Sequence, residues 1–376
     1  MMKNKKVIIT GVTGQDGSLM ADYLLKNTDV TVIGAVRRLS VKNHSNIEHL
    51  DGNPRFTLVD LDVTDLHNMD RVVSEHGPDF FINFAANSFV GSSWQMPYNH
   101  METNCLAVLH QLEAIRKHAP HCRYYNTGSS EEFGDVVTTP QSEDHPLRPR
   151  SPYGVSKCSA RHLVKVYRES YHLYAIQGWL FNHEGVRRGE EFVTRKITKN
   201  VARITSEYRC GGRPTPLELG NLDAQRDWSD AEDFVRGVWK MLNQESPECR
   251  GLSAPPAEQE GASWYSSLIN EYVLSSNETH TIREFVEVAF KCAGFSPEDC
   301  RWDGEGENEK YYYRDICIVK INPIFYRPAE VQLLLGDSTK AREELGWMPE
   351  TNFLQLVEKM VLNDLNQKGG NWEPTK

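Results

Sequence analysis

A short apolar run, Lys6-Val-Ile-Ile-Thr10, passes directly into Gly11-Val-Thr-Gly14-Gln-Asp-Gly17, and a helical pattern opens at Ser18. Strand, glycine turn and helix in that order leave few folds open. The glycines let the backbone turn tightly, approach a pyrophosphate and pack helix against strand, while the helix N-terminus offers unpaired N–H groups to phosphate charge.

Strand and helix signals then alternate: strands at 30–36, 55–59, 80–84 and 122–126, and helices at 66–75 and 98–117. This alternation predicts an α/β chain built on a Rossmann-like, doubly wound parallel sheet. Ligands of such a sheet sit beyond the carboxyl ends of the strands, where Gly11, Asp62, Ala85 and Ser129 all fall. The glycine spacing, G-x-x-G-x-x-G, resembles that of the short-chain dehydrogenase/reductase superfamily. The second strand ends in Arg37 and Arg38, where an NAD enzyme would carry an acid for the ribose 2′-hydroxyl. Two arginines there favour a 2′-phosphate, hence NADP.

The second half is less regular. Helices are expected at 192–208, 281–293 and 351–366, and short strands at 217–223 and 319–325. We therefore divide the chain into a dinucleotide-binding domain at 1–180, carrying the catalytic residues, and a smaller α/β substrate domain at 181–376, with some chain exchange between them. The Pro/Ser/Glu-rich stretch 244–276 reads as an exposed loop insertion. A net charge of −10 argues against nucleic acid and anionic membranes as partners. No apolar stretch approaches a membrane span, and the first strand follows the N-terminus without a signal-peptide core. Eight scattered cysteines without a Cys-x-x-Cys fit a reducing cytoplasm, and the dispersed histidines suggest no metal.

Ser129, Glu131 and Tyr153-x-x-x-Lys157 carry the chemistry. A dehydrogenase acting on an alcohol needs a phenol to take the hydroxyl proton and a lysine to hold the phenol's pKa down. Lys157 lies one helical turn after Tyr153 on the same face. Glu131 adds a second base, which suggests proton abstraction beside a carbonyl and elimination of water.

A longer series of motifs is more specific. Gly128-Ser-Ser-Glu-Glu-Phe-Gly134, Pro149-Arg-Ser-Pro-Tyr-Gly-Val-Ser-Lys157, Phe181-Asn-His-Glu184, Arg187-Arg-Gly189, Phe192-Val-Thr-Arg-Lys196, Gly220-Asn-Leu-Asp-Ala-Gln-Arg-Asp-Trp228 and Tyr326-Arg-Pro-Ala-Glu330 span nearly the whole chain. With the glycine turn and the arginine pair, they resemble the motifs of GDP-mannose 4,6-dehydratases.

The resemblance implies a hydroxyl at Ser129 next to the reacting end of the sugar, a C5 base at Glu131, and Tyr153 and Lys157 at the C4 hydroxyl. For the cofactor it implies Gly11, Thr13, Gly14, Gln15, Asp16 and Gly17 at the pyrophosphate, with Asp62 and Val63 on the adenine side. Ala85, Ala86, Asn87 and Ser88, then His183 and Arg188, complete that set. For a GDP-sugar it implies Ser88, Asn182, Val193, Lys196, Gly220, Arg226, Arg327 and Glu330, beside Ser129 and Glu131. It also implies a homotetramer or homodimer meeting through the loops of Arg38 and Arg188.

The chain departs from the pattern in four places. Ser129 replaces a threonine, Phe89 a common histidine, Glu132 and Phe133 a Leu-Tyr pair, and the 244–276 stretch is longer. Another GDP-hexose or a GDP-heptose therefore stays open as substrate. A sugar-nucleotide epimerase or reductase on the same fold, which needs no glutamate at 131, and an idle NADP-binding protein are the other readings.

Overall fold

The computed structural model describes residues 5–244, 269–326 and 333–367. The first half runs β1 (Lys6–Thr10), α1 (Gln15–Asn27), β2 (Thr31–Val36), β3 (Phe56–Asp60), α2 (Leu66–His76), β4 (Phe80–Asn83), α3 (Pro97–Met101), α4 (Ala107–His118), β5 (Arg123–Thr127), α5 (Pro152–Tyr171) and β6 (Ala175–Leu180). It continues through β7 (Asn182–Glu184), α6 (Val193–Arg209), β8 (Leu217–Leu219), β9 (Gln225–Arg226), β10 (Trp228–Asp230), α7 (Ala231–Leu242) and β11 (Val273–Leu274).

Seven parallel strands form one sheet in the order β11-β6-β5-β4-β1-β2-β3. The order reverses between β1 and β4, so the crevice for a ligand opens there. Both faces are covered, which is why β1 reads as an unbroken apolar run rather than an alternating one. Val7 and Ile9 join the core under α1 and α7, and Ile8 joins the core under α2, α4 and α5. Each such fully buried side chain contributes about 1.5–3 kcal/mol.

Local signals fix the helix ends. The Asp65 carboxylate caps α2 by accepting the Asn68 N–H at 3.0 Å, and Gly77 ends it at a left-handed φ of 51°. The helix expected at 98–117 is present, but a π-helical segment, Glu102–Leu106, divides it into α3 and α4. That extra residue per turn turns Asn104 inward.

A second core forms where α6 and the helices Ile282–Cys292 and Phe353–Gln367 pack with a sheet of Cys300–Asp303, Lys310–Tyr313, Ile316–Ile321 and β8. The strand expected at 319–325 is shifted to Ile316–Ile321, because Pro323 opens a 3-10 turn, Pro323–Phe325. The exposed insertion expected over 244–276 ends earlier than that. Tyr272, Val273, Leu274 and Ser275 are buried, and β11 forms the edge of the main sheet, while residues 245–268 lie outside the described ones. Among the described residues, no helix is long and apolar enough to cross a membrane.

Candidate active site

A cleft of about 1710 Å³ follows the sheet's switch point and runs up against the second core. Pockets for one small ligand hold roughly 300–1,000 Å³, so this volume accommodates two. Every residue expected at the site lines it, except Arg327 and Glu330, which lie outside the described residues.

The glycine turn lies over the end of β1. Gly11 has φ +67°, and a side chain on it would meet the backbone N of Ala85 at 2.8 Å; one on Gly17 would meet Gly11 O at 2.3 Å. The two glycines therefore let α1 close on the strands. Gly14 is the N-cap of α1 and gives its first N–H groups no side-chain partner. An uncapped helix start facing a cleft fits a phosphate. Arg37 and Arg38 are exposed on the wall beyond β2, and Asp62 and Val63 follow β3.

Ala85, Ala86, Asn87 and Ser88 follow β4, and the π-helical segment holds them. Asn104 Oδ1 accepts the Asn87 N–H at 2.9 Å, and Asn104 Nδ2 donates to Asn87 O and to Ser156 Oγ, both at 3.1 Å. Sequence reasoning missed Asn104, since no helical periodicity announces a π segment. It also missed a chain of buried side chains across the strand ends. Thr10 Oγ1 donates to Asn83 Oδ1 (2.5 Å), Asn83 Nδ2 to Asn126 Oδ1 (2.7 Å), Asn126 Nδ2 to Gln177 Oε1 (2.6 Å) and Gln177 Nε2 to Glu132 Oε1 (3.0 Å). The parallel register sets Thr10, Asn83, Asn126 and Gln177 directly opposite one another.

Ser129 and Glu131 belong to a turn after β5, and Tyr153 and Lys157 to the first turns of α5. Ser151 starts that helix by accepting the Gly154 N–H at 3.0 Å, with Pro152 next. Tyr153 is hydrogen-bonded to Ser129, and Lys157 Nζ donates to Thr127 O at 2.8 Å. Burial pushes the Tyr153 phenol up; the Ser129 hydrogen bond opposes it and the charges of Glu131 and Glu132 add to it. Burial also brings the Lys157 ammonium down to about 8. Lys157 Nζ stands 5.9 Å from the Tyr153 ring centroid and is committed to a carbonyl. Among the protein's own groups, burial therefore sets the direction of the phenol's shift.

His183, on β7, reaches back to the glycine turn. Its Nε2 lies 2.9 Å from Asp16 Oδ2, its Nδ1 lies 2.8 Å from Phe181 O, and its ring stacks on Phe234. Burial would raise the Asp16 carboxyl, but the charge and hydrogen bond of His183 overcome it and hold it at about 2. Burial likewise opposes the His183 imidazolium, and Asp16 raises it above its ordinary value. Arg188 pairs with Glu184 at 3.0 Å and covers the Phe192 ring at 3.6 Å; Phe89 meets that ring edge-on.

The remaining wall is made of Asn182, Val193, Lys196, Gly220 and Arg226. Lys196 Nζ sits 3.4 Å from the Phe325 ring centroid, and burial lowers its pKa. A side chain on Gly220 would meet Phe325 O at 2.8 Å. Beside Arg226, Asp227 accepts from the Ser276 N–H and hydroxyl and from the Gly336 N–H.

The arrangement can hold a dinucleotide along the strand ends and present a hydroxyl, a carboxylate and a phenol to a second ligand. Solved structures with the same fold include dTDP-glucose 4,6-dehydratase from Bacillus anthracis in complex with NAD (TM-score 0.73, 20% identity, 98% of each chain). Another is UDP-glucuronic acid 4-epimerase from Bacillus cereus in complex with UDP-glucuronic acid and NAD (TM-score 0.75, 21% identity, 96% of this chain and 99% of that one). At the sequence level the chain is 40% identical to GDP-mannose 4,6 dehydratase of Drosophila melanogaster over 96% of this chain and 87% of the relative. It is also 40% identical to GDP-mannose 4,6-dehydratase of Sinorhizobium fredii strain HH103, over 98% and 99%. The family model described as GDP-mannose 4,6 dehydratase matches residues 8–253 and 264–360, covering both the glycine turn and the wall that faces it, and on that breadth the chain belongs to the GDP-mannose 4,6-dehydratase family.

Proposed function

We propose that the chain converts GDP-mannose to GDP-4-keto-6-deoxy-mannose and water, with hydride passing from C4 to C6 through NADP that stays bound. The observation that carries this reading is Glu131 in the cleft on the same turn as Ser129, whose side chain is hydrogen-bonded to Tyr153. An epimerase or reductase needs the phenol and lysine but has no work for that second carboxylate.

When bound, the nicotinamide supplies a hydride acceptor for C4 that gives the hydride back at C6, and a positive charge beside the phenol. Tyr153 Oη takes the C4–OH proton, and Ser129 orients that hydroxyl. The 4-ketone acidifies C5–H, and a Glu131 oxygen removes that proton. Loss of the C6 hydroxyl as water, with a proton from Glu131 or Ser129, leaves an enone; as it accepts hydride at C6, C5 is protonated by Tyr153, which gives up the proton it took from the C4 hydroxyl. Lys157 holds the ribose side of the cofactor, the α1 N-terminus its pyrophosphate, and Arg37 and Arg38 its 2′-phosphate. Lys196 and Arg226 take the GDP diphosphate, and Arg327 and Glu330 complete that set.

On the same reading, residues 1–180 hold the dinucleotide and 181–376 the sugar nucleotide. The enzyme is cytoplasmic and a dimer or tetramer, and a monomer by light scattering at micromolar concentration would overturn that assembly. The function is tested with a panel of GDP-, dTDP-, CDP- and UDP-sugars, followed by mass spectrometry without added NADPH. GDP-mannose should lose one water; loss from another sugar alone, or from none, would overturn the assignment.

A further inference from the structure

Two neighbouring glutamates leave one short turn in different directions. Glu131 lines the cleft, whereas Glu132 is wholly buried. One Glu132 oxygen accepts the Ser129 N–H at 2.8 Å and Gln177 Nε2–H at 3.0 Å, and the other accepts Arg161 Nε–H at 2.5 Å. Ser129 Oγ in turn accepts the Glu131 N–H at 3.2 Å, so side chains and backbone close the turn reciprocally.

Arg161 belongs to α5, the helix of Tyr153 and Lys157. It is buried over the Trp179 ring at 3.5 Å and also donates to Gln177 O and to Glu271 Oε2, each at 2.7 Å. Arg168 donates to the other Glu271 oxygen at 2.9 Å. The cluster thus contains two carboxylates and two guanidinium groups, with its charge balanced. Burying four charged groups costs desolvation that an apolar packing of the same volume would not, so ion pairing alone is a weak reason for a carboxylate here. What an apolar side chain cannot do is hold the Ser129 N–H while gripping α5.

On the dehydratase reading above, we propose that Glu132 is a positioning residue: it clamps the turn through Ser129, Ser130 and Glu131 to α5, so that the Ser129 hydroxyl, the Glu131 carboxylate and the Tyr153 phenol keep one spacing. Glu132 touches neither substrate nor cofactor. Its effect passes through the Ser129 backbone and through Arg161.

Two variants separate reach from charge. Glu132→Asp keeps a carboxylate for Arg161 but is one methylene short of the Ser129 N–H. Glu132→Gln keeps the reach and gives up the charge. With GDP-mannose, Glu132→Asp should lower kcat by roughly thirtyfold or more, since small misplacements of reacting groups cost that much, and leave KM within about threefold. In deuterated solvent its C5 exchange should fall in step with kcat, while reduced-nicotinamide absorbance still develops. Glu132→Gln, whose one amide oxygen can keep the Ser129 N–H but not the Arg161 Nε–H as well, should melt at a lower temperature and lose kcat by less, about threefold to tenfold. A parental kcat in either variant would overturn the clamp. If Glu132→Asp does not fold, Glu132→Leu combined with Arg161→Leu, which leaves neither charge unpaired, takes its place under the same two outcomes. Water loss by the parent tests the reading; the ratio of variant to parent tests the clamp.

Discussion

The floor and the far wall of the cleft are held in different ways. On the floor, groups are tied to buried neighbours: Lys157 to Thr127 O on β5, the Asn87 N–H to Asn104 of the π-helical segment, and the Thr10, Asn83, Asn126 and Gln177 chain to the sheet's own register. On the wall, Lys196 rests on Phe325, a cation over a part-exposed ring, while Arg188 over Phe192 is held besides by its ion pair with Glu184. Phe325 itself is 46% exposed. A hydrogen bond to a buried strand fixes direction to a few tenths of an ångström, whereas a cation over a ring tolerates sliding. On the proposed function, chemistry sits where geometry is fixed, and recognition where it can adapt. Substitutions on the floor should therefore act on kcat, and those on the wall on KM.

The sharpest way to break that contrast is Glu131→Gln, which keeps size but removes the base. We expect kcat to fall about a thousandfold while C4 oxidation continues, so that reduced nicotinamide accumulates during turnover. Tyr153→Phe should silence both the absorbance change and C5 exchange. Turnover of GDP-mannose by Glu131→Gln at the parental rate would end the assignment of that carboxylate as base.

On the wall, Lys196→Ala should raise KM by roughly thirtyfold and leave kcat within about threefold, the size expected for one charge-assisted bond to a diphosphate. A loss in kcat alone would move Lys196 to the floor's side of the comparison. A smaller effect is expected from replacing Arg37 and Arg38 together by alanine. NADP affinity should weaken about tenfold more than NAD affinity, and equal losses in a titration would remove the 2′-phosphate from their role.

The smallest effect concerns Asp16 and His183, the ion pair that joins floor to wall. His183 is raised in the folded chain, so its contribution is fully present below the ordinary histidine value of about 6.5 and fades as pH rises through the folded value. Asp16 is depressed to about 2, so its contribution is present above the ordinary value of 3.8 and is lost as pH falls toward 2. Melting temperatures of the parent and of His183→Asn should differ most between these limits, by an amount worth about 1 kcal/mol, and converge at alkaline pH. A gap that stays constant from pH 5 to about pH 9 would mean His183 stabilises by packing on Phe234 alone.

The same division explains what could be read from sequence. The floor is local: β1, the glycine turn and α1 follow one another, and their period and glycines announce them. Yet β6, with Gln177 and Gly178 in its middle, carried no strand signal, because its polar residue is satisfied by Asn126 and Glu132, which are distant in sequence. α7, which Asp230 caps by accepting the Glu232 N–H, is not among the helices expected in the second half. The hairpin of Lys310–Tyr313 and Ile316–Ile321 follows an acidic stretch that reads as loop. The wall is assembled from residues on α6, β9 and the turn at Pro323, so no spacing within the chain relates Lys196 to Phe325 or Arg226. Only the resemblance of whole motifs linked them. Glu132 was visible as a departure from the family pattern, but nothing in the sequence told it apart from Glu131 in direction.

The late strand β11 has a consequence for synthesis. A ribosome delivers β6 well before residues 273 and 274, and until they arrive the Trp179 and Phe181 N–H groups lack the carbonyls of Tyr272 and Leu274 that receive them. Arg161 and Arg168 likewise wait for Glu271. The nascent chain therefore carries an open sheet edge beside two half-neutralised guanidinium groups, a surface prone to pairing with another nascent chain. Release of a chain stopped near residue 244 should yield aggregates rather than a soluble nucleotide-binding half.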